Sequence, residues 1–250
     1  MTKAQFIRMP NNTMKYQRGF TLIEMALVLM IIGLLLGIFL IPLPTKLDQQ
    51  KIRETEQRLE KIKEALIGFA TVYGYLPCPN LAPIDDGKGR NPPCSENKEG
   101  EIPWLVLGVD KYDAWGHPIR YRVDNRFGKA EYDQDDPDNT GFPNNPPDTS
   151  SDLRVRNRND EPLTNEDINS QVIAIIFSCG KNGVPDADNE GGVTTDAPSC
   201  IHSSSGNQKP NNSIYTQDVF VENQFDDILI WLPKTIFINR LTIAGAWPPS

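Results

Sequence analysis

One carboxylate near the start of the chain lies in a segment that is otherwise apolar. Residues 20–41 are 22 consecutive residues in which Glu24 is the only ionisable side chain. A helix of that length spans about 33 Å, which is enough to cross the hydrocarbon core of a bilayer. An acidic side chain inside such a helix costs about 2.5–3.5 kcal/mol on insertion scales. Either Glu24 reaches the membrane interface at its own end of the helix, or it pairs with a positive charge on another subunit.

The residues before this segment carry only positive charge. No acidic residue precedes Gly19, whereas four basic residues do: Lys3, Arg8, Lys15 and Arg18. The positive-inside rule therefore predicts that residues 1–19 stay cytoplasmic while the bulk of the chain crosses the membrane. The apolar run is too long for an ordinary secretory signal, and residues 41–44 are a poor cleavage site for one.

The hexapeptide Gly19-Phe20-Thr21-Leu22-Ile23-Glu24, together with the apolar run, resembles the prepilin signature of type IV pilins and type II secretion pseudopilins. In that family a prepilin peptidase cuts after the glycine on the cytoplasmic side, and the new N-terminal phenylalanine is N-methylated. The resemblance implies cleavage between Gly19 and Phe20, and pairing of the Phe20 amine with Glu24 of a neighbouring filament subunit. It also implies as partners other pilin or pseudopilin subunits, an assembly ATPase and an inner-membrane platform protein.

Helix and strand patterns follow the apolar run. Segment 45–75 has apolar residues at helical spacing, which indicates an amphipathic helix packed on a core: Leu59, Ile62, Leu66, Phe69 and Tyr73. Residues 119–123, 172–177 and 228–232 have the composition of strands, and 235–244 fits either a strand or a helix. Long loops are predicted at 77–103, 131–151 and 180–224.

Parts of the remaining chain also resemble pseudopilins. Segment 113–121 is similar to the D-x-W-G-x-P-x-x-Y turn of the major pseudopilin, and 177–183 and 226–228 are similar to its S-x-G-x-D/N-G and D-D-I elements. The resemblance implies an α+β, pilin-like fold, in which a long N-terminal helix packs with its second half on an antiparallel sheet. The expected organisation is a cytoplasmic leader (1–19), a transmembrane and assembly helix (20–41), an amphipathic stem helix (42–76) and an extracytoplasmic globular domain (77–250).

All four cysteines lie on the predicted extracytoplasmic side, where an even number of cysteines indicates disulfides. We favour the sequential bridges Cys78–Cys94 and Cys179–Cys200, because each closes a loop of modest length rich in Pro or Gly. The rival interpretation is a zinc site built from all four thiolates. It is disfavoured because the sequence has no C-x-x-C pair.

Oxygen ligands are the best candidates for a metal site, since calcium takes six to eight of them. In the major pseudopilin a calcium ion staples the loop that ends at the paired aspartates. The resemblance therefore nominates Asp226, Asp227 and Ser178, with Asp186 and Asp188 as substitutes inside an insertion of about forty residues. Alternatively, the Cys179–Cys200 bridge replaces the metal. A second acidic cluster is interpreted as a solvated loop: Asp133, Asp135, Asp136 and Asp138.

Net charge and composition disfavour two classes of function, nucleic-acid binding and catalysis. The net charge of −8 becomes −12 without the four leader cations, and this disfavours binding to nucleic acid. With two histidines and no nucleophile or phosphate-binding motif, we predict a protein that is not an enzyme. The leading hypothesis is a minor or specialised structural subunit of a pseudopilus or type IV pilus, anchored in the inner membrane with an extracytoplasmic domain. The alternative is a tip adhesin that uses the inserted loops.

Overall fold

The computed structural model describes residues 19–40, 43–81, 86–89, 94, 99–128, 151, 153–164, 167, 171–184, 186, 214–221 and 224–246. Contacts divide the chain into a unit of residues 1–47 and a unit of residues 48–250. Several predicted features lie outside the described residues: the basic leader, Asp188, Cys200, the acidic cluster 133–138, and most of the loops 131–151 and 180–224.

Helix α1, Leu22–Leu40, is the main element of the first unit. Glu24 is its only ionisable residue, and every side chain described in it, from Leu22 to Leu36, is exposed. Among the residues that the structure describes, no helix is both long enough and apolar enough to cross a membrane.

Helix α2, Leu43–Tyr73, contributes its residues from Asp48 onward to the second unit. Leu59, Ile62 and Leu66 are buried, as their spacing predicts. The same stripe was expected to continue through Phe69 and Tyr73, but Tyr73 is 57 % exposed. The buried face continues instead through two other residues, Ile67 and Ala70. Phe69 and Tyr73 stack on each other at the helix end, with ring centroids 4.3 Å apart.

A four-stranded antiparallel sheet forms the centre of the second unit. Its order is β1 (Gly100–Glu101), β2 (Arg120–Val123), β4 (Val172–Ser178) and β6 (Ile228–Pro233). Every residue of the central strand β4 is buried, because both faces of the sheet are covered. This double burial explains why the strand has a continuous apolar sequence rather than alternation.

The two faces of the sheet belong to two hydrophobic cores. On one face, Ile176 of β4 packs in the same core as Leu59 and Leu66 of α2. On the other, Ile175 and Phe177 pack with a second, two-stranded parallel sheet. That sheet pairs β3 (Arg154–Arg156) with β5 (Ile214–Thr216), and the sequence did not predict it. Strands of three residues are too short for a periodicity to register.

Two short elements complete the described fold. Helix α3 is Trp104–Leu107, and α4 is Lys234–Ile243. The ambiguous segment 235–244 is therefore helical, and it buries Phe237 and Leu241 at a spacing of four residues. That spacing is typical of a helix with one face on a core.

A disulfide fixes the segment that follows α2. Cys78 and Cys94 are both buried and are bonded to each other, with their Cα atoms 5.1 Å apart. The first predicted bridge is confirmed. The second, Cys179–Cys200, stays a prediction because Cys200 lies outside the described residues.

Candidate functional site

The start of α1 is set by the residues of the recognised hexapeptide. Thr21 precedes the helix, and its Oγ1 accepts a hydrogen bond from the N–H of Glu24 at 3.3 Å. Thr-x-x-Glu with this bond is half of a capping box, which satisfies one of the free N–H groups of a helix start. The Glu24 carboxylate thus lies in the first turn, where the helix dipole favours negative charge.

Three carboxylates, here called the carboxylate trio, converge at one end of the four-stranded sheet in the unit of residues 48–250, the globular unit. One oxygen from each of Asp186, Asp226 and Asp227 lies within 4.8 Å of the other two. Asp186 belongs to the segment that follows β4, whereas Asp226 and Asp227 immediately precede β6. Because β4 and β6 are paired neighbours, these two segments meet at the same end of the sheet.

Backbone hydrogen bonds interlock the two segments. Asp186 Oδ2 accepts the N–H groups of Asp226 at 2.5 Å and of Asp227 at 3.1 Å. In return, Asp227 Oδ2 accepts the N–H of Asp186 at 3.1 Å. Asp226 Oδ2 accepts the N–H of Asn182 at 2.9 Å. These bonds fix the direction of each carboxylate without any metal and leave further oxygens for a ligand.

Burial makes the negative charge of this cluster costly. Loss of water around Asp226 raises the pKa of its carboxyl, and the neighbouring negative charge of Asp186 raises the same pKa further. Asp226 Oδ1 is buried and has no hydrogen-bond partner. A hard divalent cation satisfies both conditions, since it neutralises the charge and coordinates the remaining carboxylate oxygen. The residues present therefore fit a calcium ion.

The structure brings together three of the residues that the sequence nominated as calcium ligands. The trio contains Asp226, Asp227 and the weaker candidate Asp186, whereas Ser178 is engaged elsewhere. The Ser178 hydroxyl donates to Asp113 Oδ2 at 2.5 Å and accepts the N–H of Gly180 at 3.1 Å. Asp226 and Asp227 both precede β6, so the alternation of side chains along a strand does not separate them.

Asp113 and His117 belong to the surroundings of the site, and the sequence did not nominate them. Asp113 Oδ1 accepts the N–H groups of Trp115 and His117, each at 2.9 Å, and this closes the turn. His117 Nδ1 lies 2.9 Å from the carbonyl oxygen of Gly180. A carbonyl oxygen can only accept, so Nδ1 carries the proton. The available signal was the D-x-W-G-x-P pattern, which we had interpreted only as a turn.

Comparison with known protein families places a match at the start of the chain. Residues 14–40 match the family described as having the prokaryotic N-terminal methylation motif. The chain carries the signature of type IV prepilin-like proteins, a group that includes the pseudopilins. No curated protein and no solved structure matches the chain.

The match covers the N-terminal part of this prepilin-like chain. It includes Gly19, Phe20 and Glu24, and it ends where α1 ends, at Leu40. The prepilin-like signature indicates a structural subunit that is processed by prepilin peptidase and assembles with other pilin subunits. The globular unit, with its second sheet and its carboxylate trio, lies outside the matched residues.

Proposed function

We propose that the chain is a minor or specialised structural subunit of a type II secretion pseudopilus or a type IV pilus, cleaved after Gly19 and assembled through α1. The observation that carries the proposal is the methylation motif at residues 14–40, in register with an exposed apolar helix. A helix with apolar side chains all round must be covered by lipid or by other helices. Neighbouring α1 helices in a filament provide that cover.

Glu24 gives the assembly its specificity. Cleavage after Gly19 creates a positively charged amine at Phe20, four residues before the carboxylate. A charge pair in an apolar filament core is poorly screened and favours one register between subunits. Before assembly, residues 20–41 anchor the subunit in the inner membrane, and the globular unit lies outside the cytoplasm. A platform protein and an ATPase then drive its insertion into the filament.

Calcium is the proposed ligand of the carboxylate trio. Asp186, Asp226 and Asp227 would hold the ion, and backbone carbonyls or water would complete six to eight oxygen ligands. The ion supplies positive charge that joins the segment after β4 to the segment before β6. Its role is structural, because the trio lies on the globular unit and α1 carries the assembly function.

The decisive experiment is mass spectrometry of the protein purified from its own host. The expected N-terminus is a methylated Phe20. An intact leader in cells with an active prepilin peptidase would rule out the proposed assembly route.

Two variants test the role of Glu24 separately from processing. Glu24→Gln keeps the shape of the side chain but removes its charge, whereas Glu24→Asp keeps the charge. We expect both variants to be cleaved and methylated normally. Glu24→Gln should be largely lost from sheared filament fractions, while Glu24→Asp should retain more of its incorporation. Equal incorporation of Glu24→Gln and wild type would remove the charge pair from the proposal.

A further inference from the structure

A cavity of about 570 Å³ lies within the globular unit, beside the carboxylate trio. Its volume falls in the range of sites that bind small molecules or peptide side chains. Helix α2 lines one side with Ile52 and Glu56. The segment after β5 adds Asp218 and Val219 to the lining, and Asp227 immediately before β6 also lines the cavity.

The charge of this lining has one sign. Glu56 and Asp218 come from different parts of the chain and lie outside the carboxylate trio, Asp227 belongs to that trio, and none of the described lining residues is a lysine or arginine. Backbone N–H groups of Val219 and Arg158 donate to the Asp218 carboxylate and lower its pKa, so it is ionised at neutral pH. The Arg158 guanidinium lies over the Phe225 ring, 5.7 Å from its centroid, and does not line the cavity.

The rest of the lining is largely apolar and incompletely covered. Val219 is 75 % exposed and Leu163 is 44 % exposed, and Ile52 is half-buried. A ligand that complements both the acidic and the exposed apolar side chains of the lining would combine a positive group with an aliphatic chain. Lysine and arginine side chains beside aliphatic residues have this chemistry, because their stems pack on apolar surface while the charged head reaches a carboxylate.

We propose that the cavity receives a basic, aliphatic stretch of the stem helix of a neighbouring filament subunit. The inference rests on the proposed function, since assembly through α1 brings the stems of adjacent subunits side by side. Helix α2 of this chain illustrates the chemistry of such a stretch. Its residues Lys46 and Lys51 are exposed on either side of Leu47, which is 54 % exposed. Charge complementarity of this kind sets partner choice and register at interfaces.

The test is site-specific cross-linking of the full-length protein in its own host. A photoreactive amino acid replaces Val219, and a matched control carries it at Val72, which is 74 % exposed and lies outside the cavity lining. Cross-linked peptides are then identified by mass spectrometry. We expect the probe at Val219 to join a lysine- or arginine-containing stem peptide of another subunit, and the probe at Val72 not to do so.

Charge variants test the proposed recognition. Glu56→Gln/Asp218→Asn removes two charges of the cavity, and Asp86→Asn/Asp110→Asn removes two exposed charges elsewhere. The cavity variant should lower the Val219 cross-link about tenfold, a factor expected for losing favourable charge pairs. The control variant should leave the cross-link unchanged.

The outcomes separate this inference from the proposed function. If the wild-type protein is processed and present in filaments, two results overturn the inference alone: a Val219 cross-link to a segment that is not a basic stem, or one that does not respond to the cavity variant. The inference is also overturned if the probe at Val219 yields no more cross-linked product than the probe at Val72. If the wild-type protein is neither processed nor found in filaments, both proposals fall.

Discussion

The buried carboxylate of Asp226 carries an energetic cost that a bound cation would remove. Its carboxylate accepts the N–H of Asn182, so the backbone fixes its direction. Burial and the charge of Asp186 nevertheless raise its pKa above the ordinary value of 3.8. The folded state therefore keeps the proton to a higher pH than the unfolded chain does. Without a cation, the stability contributed by this group is full below about pH 3.8 and is lost as the pH rises through the folded pKa.

The change Asp226→Asn should have opposite effects with and without calcium. Asparagine keeps the shape and one acceptor but removes the unfavourable charge, so in chelator at pH 7 the variant should be at least as stable as wild type. At calcium concentrations of 100 times Kd, wild type should gain about 2.7 kcal/mol of unfolding free energy, and the variant should gain little. Thermal and denaturant unfolding with calcium or chelator measure both effects.

A matched control comes from an exposed carboxylate elsewhere. Asp110→Asn should keep the full calcium response, because Asp110 is exposed and lies outside the trio. In wild type, the calcium response should also grow as the pH rises through the folded pKa of Asp226. A calcium response in Asp226→Asn equal to that of wild type would show that the trio is not the site.

At the scale of elements, the loop that follows β4 is held from two sides. Gly180 has a φ of +57°, and a Cβ there would lie 2.1 Å from the carbonyl oxygen of Asp226. Gly183 has a φ of +71°, and a Cβ there would lie 2.6 Å from His117 Nε2. Both positions require glycine, since other residues rarely adopt this conformation and find no space here. The His117 ring therefore contacts this loop at two points: Nδ1 donates to the Gly180 carbonyl, and Nε2 lies beside Gly183.

The change His117→Ala should loosen this loop. It removes the hydrogen bond to the Gly180 carbonyl, so the free energy of unfolding should fall by about 1 kcal/mol. Asparagine carries an amide N–H near the position of Nδ1, so His117→Asn should keep more of this stability. Calcium affinity, measured by titration calorimetry on the full chain, should fall in the same order. Equal stability of His117→Ala and wild type would mean that the hydrogen bond does not hold the loop.

The sequence predicts those elements whose apolar residues form a long regular pattern or an uninterrupted run. Helix α2 and strand β4 follow from apolar spacing and from an uninterrupted apolar run, because each buries one or both faces. The parallel pair β3 and β5 lies about sixty residues apart in the chain, and each strand has three residues. Its pairing depends on the tertiary fold, and local sequence carries no record of it. His117 was missed for the same reason, since its partner Gly180 belongs to a distant loop.

In the molecule as a whole, the division by contacts separates the apolar helix α1 from the hydrophobic cores. The first unit contains an apolar helix with a single carboxylate, and the second unit contains two hydrophobic cores and two sheets. The division falls inside α2, between Leu47 and Asp48. Among the α2 side chains that the structure describes, the first fully buried one is Thr55, whose hydroxyl accepts the N–H of Ala114 at 3.2 Å. The apolar helix α1 and the buried residues described in α2 therefore belong to different units.

This separation predicts how truncation affects stability. A fragment of residues 48–250 keeps every α2 residue that the structure describes as buried, so its free energy of unfolding should lie within about 0.5 kcal/mol of that of the processed chain. A fragment of residues 63–250 lacks Leu59 and Ile62, which are 0 % and 1 % exposed. Loss of each of these buried side chains should lower the free energy of unfolding by about 2–5 kcal/mol, so this shorter fragment should be largely unfolded. Circular dichroism and denaturant titration compare the two fragments with the processed chain in detergent. If residues 48–250 alone failed to fold, residues before Asp48 would be part of the folding unit, which would contradict the division between the two units.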